Sequence, residues 1–492
     1  MKPTDQQREI IKLAKTGESF KVSALAGSGK STSLRMIAKR NPNKKYLYLA
    51  FNKLVATEAQ AKMPSNVTAK TAHSLAFGQT GYPFANRLTG SIFSAKTHIM
   101  SLLEKDIKTL KDSFFMTDAQ IFVAVAETYT NFLHTIDEKC EGKHIPPYVW
   151  SFSPADKSKQ KEWRNAICQA ANKVWIEMSS KKSHMPVLHD VYLKLWAMKP
   201  KRLPYDAILL DEAQDADPCI LSVILGQKHL QRILVGDERQ ELYGWRGSVN
   251  AMQGVDMPEL PLTKSWRFGK NIADVANEVL SLTADMRLEG MAESDEVFVG
   301  EDRNAICVLS RSNGALIQEA VNCLDENKNV YIVGGTKDAV AYLRAAYSLY
   351  RGERAIHPEL SHFRTWSELI ETAESNLGQM YKPIVNLVKK YGVGVLNVAN
   401  RLEREILPNG DDADVTLSTV HKFKGQERES VRLLDDFPLL VQDNIFQSEE
   451  ANVLYVALTR AKKRLIISPF VLFNIGEAKK FFSGEDLHGE GQ

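Results

Sequence analysis

Cysteine is scarce in this sequence, and the few residues present form no recognisable pattern. The five cysteines lie at positions 140, 168, 219, 307 and 323. None of them belongs to a Cys-x-x-Cys pair, so the spacing indicates neither a disulfide framework nor a zinc or iron–sulfur site. We therefore expect the chain to work in a reducing compartment such as the cytosol.

Long apolar segments and an excess of one charge are also lacking. No stretch approaches the ~20 apolar residues that cross a bilayer, so we expect no membrane role. The start, MKPTDQQREIIKLAK, has no continuous apolar core of the kind found in secretory signals. The net charge of +3 neither favours nor excludes a polyanionic partner, because a groove can be basic on a balanced molecule.

The chain does have length and an ordinary globular composition. It contains 492 residues, of which 44% are hydrophobic and 25% are charged. Such a composition predicts a soluble globular protein, and the length predicts roughly three or four compact units.

A glycine-rich segment near the start has the composition of a nucleotide-binding loop. SALAGSGKST, residues 23–32, follows the apolar run FKV and precedes SLRMIAKR, which has apolar residues at helical spacing. Glycines allow backbone N–H groups to turn around phosphate oxygens. Lys30 would then reach the β- and γ-phosphates, and the Ser31 hydroxyl would hold Mg²⁺. Taken alone, the segment could also be a plain glycine-rich turn, because Ala24 stands where the usual pattern has its first glycine. The residues predicted to contact the phosphates are Ala26, Gly27, Ser28, Gly29, Lys30, Ser31 and Thr32.

A second segment supplies the carboxylates that such a loop requires. YDAILLDEAQD, residues 205–215, is typical of a buried strand that ends in Asp211 and Glu212. Asp211 is predicted to hold Mg²⁺ through water, and Glu212 to orient or deprotonate the water that attacks the γ-phosphate. An acidic pair of this kind can also be a solvated helix cap. In combination with Lys30 and Ser31, however, the pair predicts a nucleoside triphosphatase.

A third segment places a phosphate sensor beside aromatic and cationic residues. In RILVGDERQELYGWRGS, residues 232–248, Gln240 is predicted to sense the γ-phosphate. Tyr243, Trp245 and Arg246 follow closely and could stack on bases. For Trp245 alone, a packing role is the alternative.

DEAQD and GDERQELYGWRG together resemble the UvrD/Rep group of superfamily 1 helicases. The resemblance implies that Gln7, in TDQQREII, contacts adenine, although Gln6 leaves the register open. YLAFNKLVATEAQAKM and TAKTAHSLAF resemble the two single-strand-binding motifs of that group. The DNA contacts implied by these two motifs are Phe51, Asn52, Thr71 and His73.

Two more segments resemble motifs of the same group. LTKSWRFG resembles its aromatic-Arg motif, which implies that Trp266 contacts adenine and Arg267 the γ-phosphate. EEANVLYVALTRAKKRLII resembles the closing motif, in which Arg460 is the arginine finger and Tyr455 lies in the adjoining helix. Such a cation stabilises charge that develops on the transferred phosphoryl group.

STVHKFKGQE resembles the motif that joins nucleotide to DNA in this group. The resemblance implies nucleotide contacts by Gly425 and Glu427, and DNA contacts by His421 and Lys422. The segments VWIEMSSKKSHMPVLHDVYLKLWAM and LLDDF further resemble the F-box DNA helicase branch. No F-box precedes the adenine motif, so we expect a stand-alone motor, cytoplasmic and nucleoid-associated, from a bacterium, phage or archaeon.

The pattern of strand-like runs among helical segments predicts an α/β protein. The runs predicted as strands are FKVSAL, KYLYLAF, YDAILLD and QRILVGD in the first half, and AICVLSRS, NVYIVGG, ADVTLSTV, ESVRLLDD and KRLIISP in the second. The resemblance implies two RecA-like parallel-sheet motor domains in tandem, each with a helical insertion and with nucleotide bound between them. The first motor domain is predicted at residues 1–77 and 201–262, with its insertion at 78–200. The second is predicted at 263–350 and 410–480, with a short insertion at 351–409. Within the first insertion, KSKQKEWRNAICQAANKVW surrounds Trp163 with basic residues, which form either a solvated helix face or a DNA contact.

The function implied by the resemblance is an ATP-driven motor on single-stranded DNA that uses Mg²⁺. Single-stranded and tailed duplex DNA are the expected partners, travel is expected to be 3′ to 5′, and repair or recombination control is the expected setting. Two alternatives remain open. One is a translocase that removes proteins from DNA, and the other is a DNA-triggered signalling or assembly ATPase.

Overall fold

The computed structural model describes residues 2–50, 52–242, 252–302, 305–374 and 380–483. Within these ranges the chain divides into two compact units, each containing separate stretches of sequence. The first unit comprises Met1–Ala24, Lys30–Glu238 and Tyr243–Leu262, and the second comprises Leu25–Gly29, Arg239–Leu242 and Thr263–Gln492. The finer division into two motor domains and two insertions stays a prediction.

A six-stranded parallel sheet forms the centre of the first unit. Its strand order is β3-β2-β6-β7-β1-β8, and every neighbouring pair is parallel. The strands of this unit are β1 (Phe20–Ala24), β2 (Tyr46–Ala50), β3 (Val67–Thr71), β4 (Leu88–Thr89), β5 (Val187–Leu188), β6 (Ala207–Asp211), β7 (Gln231–Gly236) and β8 (Glu259–Leu262). β1, β2 and β6 are buried at every position, as expected for parallel strands covered on both faces.

The apolar runs predicted the inner strands of this sheet but missed both edges. FKVSAL, KYLYLAF, YDAILLD and QRILVGD are confirmed as β1, β2, β6 and β7. β3 and β8 mix buried, half-buried and exposed positions and carry polar residues, because an edge strand has one open side. They therefore lack the apolar signal on which the prediction depended.

Helices cover the sheet of the first unit and fill the stretch between β3 and β6. They are α1 (Asp5–Thr16), α2 (Lys30–Lys39), α3 (Lys53–Lys62), α4 (Ala72–Ala76), α5 (Lys96–Leu102), α6 (Glu104–Phe114), α7 (Asp118–Leu133), α8 (Lys157–Ser179), α9 (His189–Met198) and α10 (Pro218–Gly226). The helical character predicted for residues 78–200 is thus observed in α5 to α9. The two-residue parallel pair of β4 and β5 within this stretch was not predicted.

Trp163 lies in the core of this helical region and not on its surface. Its side chain is 0% exposed, its Nε1 donates to the Met116 sulfur at 3.2 Å, and its ring centroid lies 5.3 Å from that of Trp150. Lys157, at the start of α8, is exposed. Trp163 is therefore a packing residue, whereas the lysines that precede it in α8 face solvent.

A second six-stranded parallel sheet forms the centre of the second unit. Its strand order is β11-β18-β15-β12-β14-β13, and every neighbouring pair is parallel. The strands of this unit are β9 (Lys264–Ser265), β10 (Glu289–Gly290), β11 (Glu296–Val299), β12 (Cys307–Ser310), β13 (Val330–Ile332), β14 (Val415–Thr419), β15 (Arg428–Leu433), β16 (Val441–Gln442), β17 (Ile445–Phe446) and β18 (Ala461–Ile467). The five predicted strands are confirmed as β12, β13, β14, β15 and β18, whereas the half-exposed edge strand β11 was missed. The predicted α/β fold with two parallel sheets is confirmed.

Helices also flank the second sheet. They are α11 (Lys270–Leu280), α12 (Asn313–Asp325), α13 (Lys337–Tyr350), α14 (Trp366–Glu374), α15 (Lys382–Tyr391), α16 (Val395–Glu405), α17 (Val420–Phe423), α18 (Ser448–Leu458) and α19 (Pro469–Ser483). The stretch between α13 and β14 is short and helical, as predicted. Within the described ranges, no helix is long and apolar enough to span a bilayer.

Replacement of Trp163 by alanine tests its place in the core. The truncation leaves a cavity, and we expect the free energy of unfolding to fall by about 3–5 kcal/mol, measured by urea denaturation followed by circular dichroism. Ile176→Ala is the matched control, because Ile176 lies on the same helix and is 67% exposed. A Trp163→Ala protein as stable as the unchanged chain would contradict the assignment.

Candidate functional site

The glycine-rich loop between β1 and α2 has a backbone that only glycine adopts readily. Gly27 and Gly29 have φ values of 71° and 84°. A Cβ on Gly27 would lie 2.4 Å from Ser265 Oγ and 2.8 Å from Arg267 Cβ, so the position has no room for a side chain. The predicted phosphate loop is thus a tight turn whose backbone conformation requires glycine at position 27.

Residues of the second unit hold this loop. The Trp266 N–H donates to the Gly27 carbonyl at 2.9 Å, and the Tyr455 hydroxyl accepts from the Ala26 N–H at 3.1 Å. These contacts explain why Leu25–Gly29 belongs to the second unit although Lys30 belongs to the first. The Ser28 hydroxyl is buried without a hydrogen-bond partner in the described part of the chain.

In the first unit, Lys30 pairs with the carboxylate that follows β6. Lys30 Nζ lies 2.8 Å from Glu212 Oε2, and the lysine side chain is only 12% exposed. Burial lowers the pKa of Lys30, but the carboxylates of Glu212, Asp237 and Asp211 outweigh this effect and hold the pKa above its ordinary value. Lys30 is therefore a fixed positive charge beside a carboxylate-rich strand end.

Asp211 accepts hydrogen bonds at both carboxylate oxygens. Oδ2 accepts from Ser31 Oγ at 2.9 Å and from the Tyr48 hydroxyl at 2.5 Å, and Oδ1 accepts from the Glu212 N–H at 3.0 Å. Burial, together with the charge of Glu212, raises the pKa of Asp211. Burial also raises the pKa of Tyr48, so its hydroxyl stays protonated and can donate. The predicted metal ligands Ser31 and Asp211 thus lie within hydrogen-bonding distance of one another.

Glu212 is held in an unusual conformation by a residue that the sequence analysis overlooked. Glu212 has φ 52° and ψ 48°, which lie in the left-handed region that residues other than glycine rarely adopt. Gln214 Nε2 donates to Glu212 Oε2 at 2.7 Å, and Gln214 Oε1 accepts from the Asp237 N–H at 3.0 Å. Gln214 therefore links the ends of β6 and β7. Its position in DEAQD, directly after the two carboxylates, was the available signal.

In the second unit, the predicted sensor and the predicted arginine finger contact each other. Arg460 is 1% exposed, and its Nη2 donates to Gln240 Oε1 at 3.2 Å. Its Nε donates to the Val456 carbonyl at 2.8 Å, one turn back along α18. Lys424 Nζ donates to the Gln240 carbonyl. Two residues far apart in sequence are therefore brought together within the second unit.

Arg267 and Glu427, both predicted nucleotide contacts, form an ion pair in the same unit. Arg267 Nε lies 2.6 Å from Glu427 Oε2, and Arg267 Nη1 donates to the Thr459 carbonyl at 2.8 Å. Lys462 Nζ lies 3.0 Å from Glu427 Oε1. Burial acts in the opposite direction, but Arg267 and Lys462 together lower the pKa of Glu427, which keeps it ionised.

The residues predicted to contact adenine have different surroundings. Trp266 is 49% exposed and so presents a free aromatic surface. Gln7 is buried and forms a capping box with Thr4 at the start of α1, while its Nε2 donates to Ser33 Oγ at 3.1 Å.

Two further predicted nucleotide contacts lie elsewhere. Thr32 lies in the first turn of α2, and Gly425 has a φ of 84°.

Two of the predicted DNA contacts in the first unit are helix caps at neighbouring strand ends. The Asn52 side chain accepts from the Val55 N–H at 2.9 Å, and Thr71 Oγ1 accepts from the Ser74 N–H at 3.1 Å. β2 and β3 pair in parallel with Ala50 opposite Thr71, so both caps follow the same edge of the sheet. An open groove of 690 Å³, lined in part by Lys53, Lys70, Thr71 and Ser74, lies beside them.

His73 lies in a cluster of rings next to a carboxylate. Its Nε2 is 3.6 Å from Asp190 Oδ1, and its ring makes edge contacts with His189 and Tyr192. Burial lowers the pKa of His73. The imidazole is still 41% exposed, so it can contact a ligand.

The remaining predicted DNA contacts lie in the second unit or outside the described residues. His421 and Lys422 belong to α17, directly after β14, and Lys422 Nζ lies 2.9 Å from Asp338 Oδ2. The predicted contacts outside the described ranges are Phe51, Tyr243, Trp245 and Arg246.

The donor set of the first unit fits a magnesium–nucleotide complex. Ser31 and Asp211 offer the hydroxyl and carboxylate oxygens that Mg²⁺ prefers, beside the charged Lys30. The glycine loop leads directly into the N-terminus of α2, which is a favourable environment for phosphate.

Two protein families match the chain over most of its length. Residues 3–253 match the UvrD/REP helicase N-terminal domain, and residues 353–471 match the UvrD-like helicase C-terminal domain. The resemblance drawn from the motifs is therefore confirmed.

Curated relatives show the same relationship. F-box DNA helicase protein 1 of Schizosaccharomyces pombe is 31% identical, over 94% of this chain and 57% of the relative. F-box DNA helicase 1 of Gallus gallus is 29% identical, over 99% of this chain and 51% of the relative. Gabija protein GajB of Bacillus cereus is 24% identical, over 54% of this chain and 63% of the relative.

The chain thus spans little more than half the length of the two F-box DNA helicases it matches. Both of these relatives are eukaryotic, so they give no support to the expected bacterial, phage or archaeal source. The two domain matches follow one another along the chain in the order of the two sheets. The chain belongs to the UvrD/REP helicase family.

Proposed function

We propose that this protein is an ATP-dependent DNA helicase that moves along single-stranded DNA. The observation that carries the proposal is the arrangement at the end of β6, where Lys30, Ser31, Asp211 and Glu212 are joined by short hydrogen bonds. Its relatives named as DNA helicases support the choice of DNA as the partner.

The residues of the first unit bind the triphosphate and activate water. Lys30 contacts the β- and γ-phosphates, and the N–H groups of the glycine loop surround them. Ser31 and Asp211 would hold Mg²⁺, which when bound would neutralise charge on the phosphate oxygens. Binding of phosphate draws Lys30 away from Glu212. Glu212 Oε2, still held by Gln214 Nε2, then orients the attacking water and accepts its proton.

The residues of the second unit stabilise the charge that develops during phosphoryl transfer. Arg460 and Arg267 are cations held by carbonyl groups and by Glu427 in the present structure. The loop Leu25–Gly29, which packs in this unit, is continuous with Lys30 in the chain. That both sets of residues act on one nucleotide is implied by the resemblance and stays a prediction. Gln240, bonded to Arg460, senses whether the γ-phosphate is present.

The DNA contacts are assigned to strand and helix ends in each unit. Asn52 and Thr71 border the groove that holds Lys53 and Lys70, which suits a phosphate backbone. Lys422 provides a further cation in the second unit. Travel from 3′ to 5′, a role in repair or recombination, action on tailed duplexes and a cytosolic location are implied by the resemblance and stay predictions.

The proposal is tested by ATPase assays with and without single-stranded DNA, followed by unwinding of duplexes tailed at either end. We expect stimulation that grows with strand length, and unwinding from the 3′ tail. Displacement of streptavidin without strand separation would instead indicate a protein-removing translocase. Stimulation that does not depend on strand length would indicate a DNA-triggered ATPase, and the absence of any ATP hydrolysis would refute the proposal.

Lys30→Ala should abolish ATP hydrolysis. The substitution removes the only lysine of the glycine loop, and with it the cation that contacts the phosphates. Lys39→Ala, at the exposed end of the same helix, is the control and should leave the rate of phosphate release unchanged. Equal rates in the two variants would be incompatible with the assigned role of Lys30.

Arg460→Ala should lower DNA-stimulated turnover by about 10³- to 10⁵-fold, because the arginine finger acts on the transition state. Binding of a fluorescent ATP analogue should change far less, since the ground state is contacted mainly by the first unit. Arg464→Ala, in the neighbouring strand β18, removes an ion pair with Asp302 and serves as the control. Full activity of the Arg460→Ala protein would remove the arginine from the catalytic set.

A further inference from the structure

Tyr48 connects the core of the first sheet to the predicted metal site. It lies in β2, pairs in register with Leu209 of β6, and is 1% exposed. Asp211 follows two positions after Leu209 and therefore lies on the same side of the sheet. The Tyr48 hydroxyl leans along the strand direction and donates to Asp211 Oδ2 at 2.5 Å.

Asp211 Oδ2 also accepts a hydrogen bond from the Ser31 hydroxyl, so two donors share one carboxylate oxygen. Ser31 Oγ donates to Asp211 Oδ2 at 2.9 Å. A hydroxyl that coordinates Mg²⁺ directs its lone pair at the metal, so the Ser31 bond is free to change on metal binding. The Tyr48 bond involves no group that contacts nucleotide. It can stay in place throughout the cycle.

Asp211 is a buried acceptor for this hydrogen bond. Its carboxylate is only 6% exposed. A hydrogen bond from a neutral donor to an ionised carboxylate is a strong one, and it fixes the orientation of the acceptor.

We infer that Tyr48 is a positioning residue for magnesium binding, which acts by holding the Asp211 carboxylate in a fixed orientation. The inference rests on the proposed function, because it concerns the Mg²⁺ that accompanies ATP. Groups around a metal ligand commonly change metal affinity about 10- to 100-fold when they are removed.

A neighbouring tyrosine separates this role from simple packing. Tyr46 lies two positions earlier in β2, on the same side of the strand, and is 0% exposed. In the described part of the structure, its hydroxyl has no hydrogen bond to Asp211. Tyr46→Phe therefore removes the same atom from the same core without touching the metal site.

The test measures nucleotide binding and does not require turnover. N-methylanthraniloyl-ADP is titrated into the unchanged chain, Tyr48→Phe and Tyr46→Phe, first in EDTA and then with increasing Mg²⁺. In Tyr48→Phe we expect unchanged nucleotide affinity in EDTA. Magnesium should still raise that affinity, but the Mg²⁺ concentration that gives half of the increase should be about tenfold higher than in the unchanged chain. Tyr46→Phe should match the unchanged chain in both conditions.

Asp211→Asn completes the test as a double-mutant cycle. If Tyr48 acts through the carboxylate, Tyr48→Phe should cause no further rise in the half-saturating Mg²⁺ concentration when Asp211 is already asparagine. Additive increases in that concentration, or a Tyr48→Phe magnesium titration that matches the unchanged chain, would overturn the positioning role alone. A general loss of packing would be seen as equal effects of Tyr46→Phe and Tyr48→Phe, and would also overturn it. An unchanged chain that binds no nucleotide would overturn the proposed function itself.

Discussion

The candidate site of the first unit depends on a single constraint, namely that parallel strands all end at the same edge of their sheet. Asp211 closes β6, and Lys30 follows β1 after a short loop. Asn52 follows β2, and Thr71 ends β3. Residues as far apart in sequence as Lys30 and Glu212 can therefore form direct hydrogen bonds. The parallel sheet is what turns scattered motifs into one site.

This edge concentrates charge that the protein must balance internally. Asp211, Glu212 and Asp237 lie near Lys30, and Asp211 and Asp237 are almost fully buried. Burial of a charge is costly unless it is paired and hydrogen-bonded. Lys30, Gln214 and backbone N–H groups provide that pairing. Lys30 is paired with the Glu212 carboxylate in this structure. A phosphate that took the place of that carboxylate would leave the lysine still paired with an anion. The second unit uses carbonyl oxygens and Gln240 in the same way around Arg460.

The sequence predicted the features that depend on local pattern and missed those that depend on neighbouring strands. Apolar runs identified the inner strands of both sheets, whereas β3, β8 and β11 are edge strands with mixed polarity. The motifs predicted that Lys30 and Asp211 lie together, but the sequence around Tyr48 does not indicate which carboxylate accepts its hydrogen bond. That contact follows from the register of β2 against β6. Trp163 shows the converse limit, since basic neighbours in sequence did not reveal that the ring itself is in the core.

The backbone of Glu212 has a consequence for how this site is maintained. An L-residue in the left-handed region costs about 1–3 kcal/mol, and that cost is borne in every folded molecule whether or not nucleotide is present. Glycine at this position would relieve the strain and remove the carboxylate at once. At this residue the requirement for stability and the requirement for the proposed chemistry therefore oppose one another. Selection for stability alone would favour loss of the carboxylate.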